Sequence, residues 1–167
     1  MTDPLCDALG LDFARVTEVI GLLRGRGETV ATAESLTAGL VAAVLTTVPG
    51  ASAVVRGGLV VYATDLKASL AGVPPELLDG HGAVHADVAS ALAGGARRVC
   101  GADWGIGLTG VAGPDPQDGV APGTVYFGIA RSAGVTCHAL GLSGDRNAIR
   151  AAAVRIAIDR LHTALTT

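Results

Sequence analysis

With 167 residues, half of them hydrophobic, the chain is long enough to bury one substantial core, and that apolar content excludes a disordered or fibrous protein. Its 12 Lys and Arg stand against 15 Asp and Glu for a formal net charge of -3, so no basic stripe awaits a nucleic-acid backbone, and RNP, zinc-finger and basic-helix signatures are missing. Cys6, Cys100 and Cys137 are far apart and outside any CxxC or CxxH pattern, which speaks against a disulfide frame or a structural zinc site and for a reducing cytoplasm.

The first residues carry Asp3 and Asp7 without a basic-then-apolar signal, and no uninterrupted apolar stretch reaches the about 18 residues of a membrane helix. A soluble, unexported single domain over 1–167 is expected. Phe13, Val16, Val19, Ile20 and Leu23 recur at helical spacing and predict a helix over 12–26, stopped by Gly27. A short strand at 29–33 follows, then a buried helix over 36–48 closed by Pro49-Gly50. The β-branched segment 53–63 reads as a central strand, with Gly57-Gly58 marking a bulge or a close backbone approach. Thr64 is placed to cap the short helix that carries Lys67, and a turn of helix follows Val73-Pro74-Pro75. Beyond the Gly80-His81-Gly82 loop lies a longer helix, 86–99.

A strand at 104–108 then enters a Gly/Pro/Asp-rich loop over 110–123. Strands 124–131 and 135–142 are joined by the tight turn Ser132-Ala133-Gly134 and must run antiparallel. Ser143-Gly144-Asp145 introduces a final helix, 147–165. This order predicts an α/β protein, a mixed sheet with helices on both faces.

Ser35 sits at the junction of a strand-like and a helical run, where a hydroxyl can attack an acyl carbon while unpaired helix-start amides steady negative charge. Serine is equally a favoured helix cap, and both readings stand. If the first three strands are parallel with right-handed crossovers, Ser35, Tyr62 and Thr109 share the sheet edge at which α/β proteins bind ligands. Lys67 has Ala63, Thr64, Leu70 and Ala71 at its helical neighbour positions, so no carboxylate is placed to pair with it. It is either a solvated surface lysine or a base whose pKa must fall from ~10.4 toward ~7 by desolvation. Tyr62 is a possible proton relay between Ser35 and Lys67, or simply a strand tyrosine with a buried ring. The Thr109-Gly110-Val111-Ala112-Gly113-Pro114 segment can bring amides close to a phosphate or an oxyanion, but lacks the GK[ST] ending of a P-loop. Arg146 and Arg150, one turn apart on the last helix, suit a phosphate or carboxylate, or face water. Asp115 and Asp118 read as solvated loop acids, and His81 and His85 lack metal-ligand spacing on a helix, so no metal is assigned.

With those residues in view, the chain resembles the C-terminal domain of the CinA family. The resemblance rests on TAESLTAG at 32–39, VPGAS at 48–52, RGGLVVYATDLK at 56–67, GAV at 82–84, LTGVAGPDP at 108–116, PGTVYFGIA at 122–130 and GDR at 144–146. It departs where the family commonly has Cys and Gly at the positions of Leu36 and Ala38, and Ser-Asn at Ala63-Thr64. The resemblance implies a three-layer α/β/α sandwich with a mixed, mostly parallel five-stranded sheet, in a homo-oligomer. It also implies hydrolysis of nicotinamide mononucleotide to nicotinic acid mononucleotide and ammonia in pyridine nucleotide salvage. Ser35 would be the nucleophile, Tyr62 and Lys67 its activators, and Glu34, Thr37, Thr109, Gly110, Gly113 and Arg146 the substrate contacts, with Glu34, beside Ser35, equally open to stabilising the turn. No cofactor, membrane or nucleic-acid partner is implied. Longer family members carry an additional N-terminal domain with nucleotide pyrophosphatase activity, which is not expected of this chain. The rival expectation is a non-catalytic nucleotide-sensing or protein-interaction module, in which Ser35 only caps its helix.

Overall fold

The computed structural model describes residues 2–167. Five strands, β1 (Val30–Glu34), β2 (Val55–Val60), β3 (Trp104–Gly110), β4 (Thr124–Arg131) and β5 (Gly134–Gly141), form one sheet in the order β2-β1-β3-β4-β5. β2, β1 and β3 pair in parallel, and β4 is antiparallel to both β3 and β5, so four of the five strands share one direction. The segment 53–63 is thus an edge strand and not a central one. Its alternation of half-buried and exposed residues matches that place, whereas all five residues of β1 are buried between two neighbours.

Helices cover both faces. On one lie α1 (Pro4–Leu9), α2 (Phe13–Arg26), α3 (Leu40–Leu45) and α7 (Arg146–Thr166), over a core of large aliphatic side chains such as Ile20, Leu23, Leu45, Ile106, Leu108, Ile158 and Leu161. On the other lie α4 (Thr64–Ser69), α5 (Pro75–His81) and α6 (Ala86–Cys100), over a smaller, alanine-rich core. α6 sits directly on the strands because Gly107 and Gly128 face it: a Cβ at either would overlap the Ala89 carbonyl oxygen. The close approach expected at Gly57-Gly58 is found at Gly58, where a Cβ would lie 2.8 Å from Thr32 Oγ1.

Two of the departures from the sequence-based expectation have clear local reasons. α1 was not expected, although Asp3 caps it by accepting from the Leu5 and Cys6 amides, Pro4 opens it and Gly10 closes it at φ 62. The helix expected from residue 36 begins only at Leu40. Between Ser35 and Gly39 the chain makes a turn in which Ala38 (φ 49) and Gly39 (φ 93) take left-handed conformations that no helix interior accommodates.

The pairings Glu34↔Val60 and Glu34↔Leu108 align the C-terminal ends of β1, β2 and β3 on one edge. Ser35, Tyr62 and Gly110 therefore lie side by side.

Candidate active site

A cleft of about 480 Å³ opens at that edge, lined among others by Ser35, Tyr62, Ala63, Gly110, Gly113 and Arg146. A larger, shallower groove between α2 and α7, about 660 Å³, lies away from these groups.

Ser35 does not cap a helix. Its amide donates to the Leu108 carbonyl (3.0 Å), which ties it to the end of β3, and its carbonyl accepts from Ala38 (3.0 Å) to close the turn. Its side chain meets Lys67, whose Nζ lies 3.1 Å from Ser35 Oγ. Lys67 is only 1% exposed. The same Nζ donates to the carbonyls of Val61 (2.8 Å) and Tyr62 (3.2 Å), so its three polar neighbours are one hydroxyl and two backbone oxygens, with no carboxylate. Desolvation lowers its pKa to about 8, against a smaller opposing pull from the Asp65 charge. This neighbour set also suits the neutral amine: two N–H groups remain on the two carbonyls, and the lone pair is left to accept the Ser35 proton.

Of the two roles open to Glu34, the structure places it in the second: it braces the turn and the start of α3 and is not a substrate contact. Its side chain is 0% exposed and turns away from the cleft. Oε2 accepts from the amides of Gly39 (3.0 Å) and Val41 (3.1 Å), and Oε1 from the Ala42 amide (2.9 Å) and Thr32 Oγ1 (2.9 Å). The carboxylate caps α3 from one strand end away, which explains a helix whose Gly39 cap offers no side chain. The helix-start amides expected to serve an oxyanion are consequently taken. The amides of Leu36 and Thr37, in the turn just after Ser35, have no partner among the described residues.

The remaining expected contacts divide. Gly110 and Gly113 line the cleft, as do the unanticipated Asp115 and Gln117. Thr109 is buried, and its hydroxyl donates to the Ala83 carbonyl (2.6 Å), so it braces the α5–α6 loop from inside. Thr37 is buried with Oγ1 unpartnered, and it does not line the cleft.

Tyr62 is 57% exposed, and its hydroxyl accepts from Arg146 Nη2 (2.9 Å), so its phenol does not bridge Ser35 and Lys67; those two touch directly. Arg146 Nη1 also donates to the Gly113 carbonyl (2.7 Å), joining the two walls of the cleft. Arg150 does not stand beside it as a second anion ligand: its Nε donates to the Leu36 carbonyl (2.9 Å). Sequence reasoning had the residue, and its one-turn spacing from Arg146, but no signal for this target.

The structure also draws His81, His85 and Asp87 together, with candidate ligand atoms within 4.8 Å of one another, although their spacing in sequence suggested no metal. The two imidazoles stack in near-parallel planes, centroids 4.1 Å apart, so their in-plane lone pairs do not converge on one point.

Residues 13–165 match the CinA C-terminal domain family. The chain belongs to that family. A CinA-like protein of Frankia casuarinae is 48% identical over 150 residues, covering 90% of this chain and 35% of that protein. An Anaeromyxobacter CinA-like protein is 49% identical over 148 residues, 88% of this chain and 36% of its own length. The chain spans about a third of the length of the curated CinA relatives it matches. Among solved structures, a competence/damage-inducible protein of Agrobacterium tumefaciens superposes with a TM-score of 0.88 at 35% identity, covering 93% of this chain and 95% of that one. A CinA superfamily protein of Klebsiella pneumoniae gives 0.88 at 32% identity, with 92% and 97% covered. The α/β architecture matches those of these CinA structures. Among the described residues, no helix is long and apolar enough to cross a membrane.

Proposed function

We propose that the chain is an amidohydrolase that converts nicotinamide mononucleotide to nicotinic acid mononucleotide and ammonia, with Ser35 as nucleophile and Lys67 as base. The observation that carries this reading is the 3.1 Å contact between a buried, carboxylate-free lysine amine and a serine hydroxyl that opens on a cleft. A lysine in that setting shares its proton with the hydroxyl at moderately alkaline pH.

In the proposed sequence, neutral Lys67 takes the Ser35 proton as Oγ bonds to the carboxamide carbon. The carbonyl π pair moves to oxygen, where the Leu36 amide, bordering the cleft beside Ser35, donates to it. Collapse of the tetrahedral species breaks the C–N bond, and the Lys67 ammonium returns the proton to the leaving nitrogen, which departs as ammonia. A water molecule then gives a proton to Lys67 and attacks the acyl ester. Ser35 leaves as the alcohol with that proton, and the carboxylic acid formed releases the water's second proton to solvent, so the product carries a carboxylate. Arg146 is assigned to the nucleotide phosphate, which would replace the Tyr62 hydroxyl or the Gly113 carbonyl as its partner. Pyridine nucleotide salvage in the cytoplasm, by a homo-oligomer, belongs to the same reading through the family resemblance.

The test is ammonia release from nicotinamide mononucleotide by the wild-type chain, Ser35→Ala and Lys67→Met. Turnover by the wild type and its loss in both variants supports the reading. Tight nucleotide binding without turnover by the wild type would replace it with the sensing module.

A further inference from the structure

Arg150 is half-buried on a helix held by Ile149, Ala153, Val154 and Ala157, and no carboxylate pairs with it among the described residues. A guanidinium partly withdrawn from water without an anion is costly to hold unless its hydrogen bonds serve something. Both of its recorded bonds go to a single turn: Nε to the Leu36 carbonyl at 2.9 Å, and Nη2 toward the Thr37 carbonyl at 3.5 Å. That turn is the one that follows Ser35. It contains Ala38 at φ 49 and Gly39 at φ 93, so its backbone is held in a shape that an alanine disfavours.

We propose that Arg150 is a positioning residue for the oxyanion donor, fixing the Ser35–Ala38 turn, and with it the Leu36 amide, through the Leu36 carbonyl. This rests on the hydrolase reading above. The effect is geometric. Ser35 occupies the first position of the turn and Leu36 borders the cleft beside it, so a guanidinium bound to the turn's outer carbonyls fixes how the Leu36 N–H is presented there. The amides at the start of α3 cannot substitute, because Glu34 already holds them.

Arg146 and Arg150 consequently divide the cleft between them. The first joins Tyr62 to Gly113 on the open side, and the second holds the reactive turn from behind.

The experiment uses an alkyl fluorophosphonate, which reports on nucleophile and oxyanion donors whatever the natural substrate is. Ser35 Oγ bonds to phosphorus, the P–F bond breaks, fluoride leaves and the Ser35 proton passes to Lys67. Labelling is followed by mass spectrometry of the intact chain and localised by peptide mapping, on the wild type, Arg150→Gln and Arg150→Lys, with melting midpoints measured in parallel. Arg150→Gln should label Ser35 about ten- to a hundred-fold more slowly, the range for loosened or weakened oxyanion donors. Arg150→Lys should fall between the two, since it keeps the charge but not the fork. Arg150→Ala should regain rate with added guanidinium ion, which a purely structural defect would not do. In nicotinamide mononucleotide turnover the loss should appear in kcat, with KM little changed. Labelling of Arg150→Gln at the wild-type rate overturns the proposal, as does a loss confined to KM. Should Arg150→Gln fail to fold, a folded Arg150→Lys at the wild-type rate overturns it equally. A wild-type Ser35 that resists the reagent would instead remove the hydrolase reading itself, and this inference with it.

Discussion

Glu34 and Lys67 bury opposite charges on either side of Ser35, one at the end of β1 and one on α4, and their surroundings could hardly differ more. The Glu34 carboxylate accepts from three amides and a hydroxyl, two donors for each oxygen, and no atom of it faces the cleft. Lys67 meets no carboxylate, only two carbonyls and the serine hydroxyl, and its pKa falls to about 8. The first charge is matched by fixed dipoles and stabilises the fold; the second is undercompensated and is held ready to lose a proton. On the proposed hydrolase reading, the same depth of burial serves architecture in one case and chemistry in the other.

The sharpest way to break this contrast is to remove each charge. Lys67→Met should lower amide hydrolysis by about 10²–10⁴-fold, the usual contribution of a general base, while the melting midpoint at pH 7 stays level or rises. Ammonia release and calorimetry on one preparation check both halves. Glu34→Ala should cost about 3–5 kcal/mol in urea unfolding, because it leaves the Gly39, Val41 and Ala42 amides without their acceptor. If both variants lose similar stability, the distinction drawn between the two charges is wrong.

Titration sharpens it further. Since burial depresses the Lys67 pKa from 10.5 to about 8, the unfolded chain binds more protons at this group across that window. Stability of the wild type relative to Lys67→Met should therefore climb with pH from about 8 to 10.5, by about 3 kcal/mol in all, and stay flat below it. Hydrolysis should rise with pH through about 8 as the neutral amine forms. A rate limb near pH 6 would point to another base. The smallest effect is expected at Tyr62→Phe. Its phenol contacts Arg146 and not the reacting pair, so stability should change by no more than about 0.5 kcal/mol and turnover by a few-fold, where an obligatory relay would show about a hundred-fold loss.

Most of the fold was legible because hydrophobic periodicity and turn residues mark where elements exist: β4 matches its expected span, and α2, α6, β1 and β5 agree within a residue or so at each end. Edge and centre were not legible for β2, because Leu59, Val60 and Val61 give an apolar run whichever neighbours flank them, and only pairing decides. The start of α3 was hidden for a related reason. Leu36, Val41, Val44 and Leu45 are all buried, so the apolar pattern runs on unbroken through a turn that only backbone dihedrals reveal. At the site, strand order anticipated that Ser35, Tyr62 and Thr109 end on one edge, whereas Lys67 stood open between a solvated lysine and a base, and its direct contact with Ser35, without Tyr62 between them, was not legible. The particular partners of Glu34 and Arg150 were not legible either, since they are backbone groups, and a sequence does not say which amide or carbonyl a long side chain will reach.

Arg146 and Arg150, both in the opening turns of α7, hold the two sides of a cleft whose reactive pair lies more than a third of the chain earlier in sequence. A nascent polypeptide emerging from the ribosome would therefore carry Ser35 and Lys67 into solution well before the segment that shapes their surroundings is made. On the hydrolase reading, that centre would stay dormant throughout the interval, and competence would arrive as one late event when α7 docks.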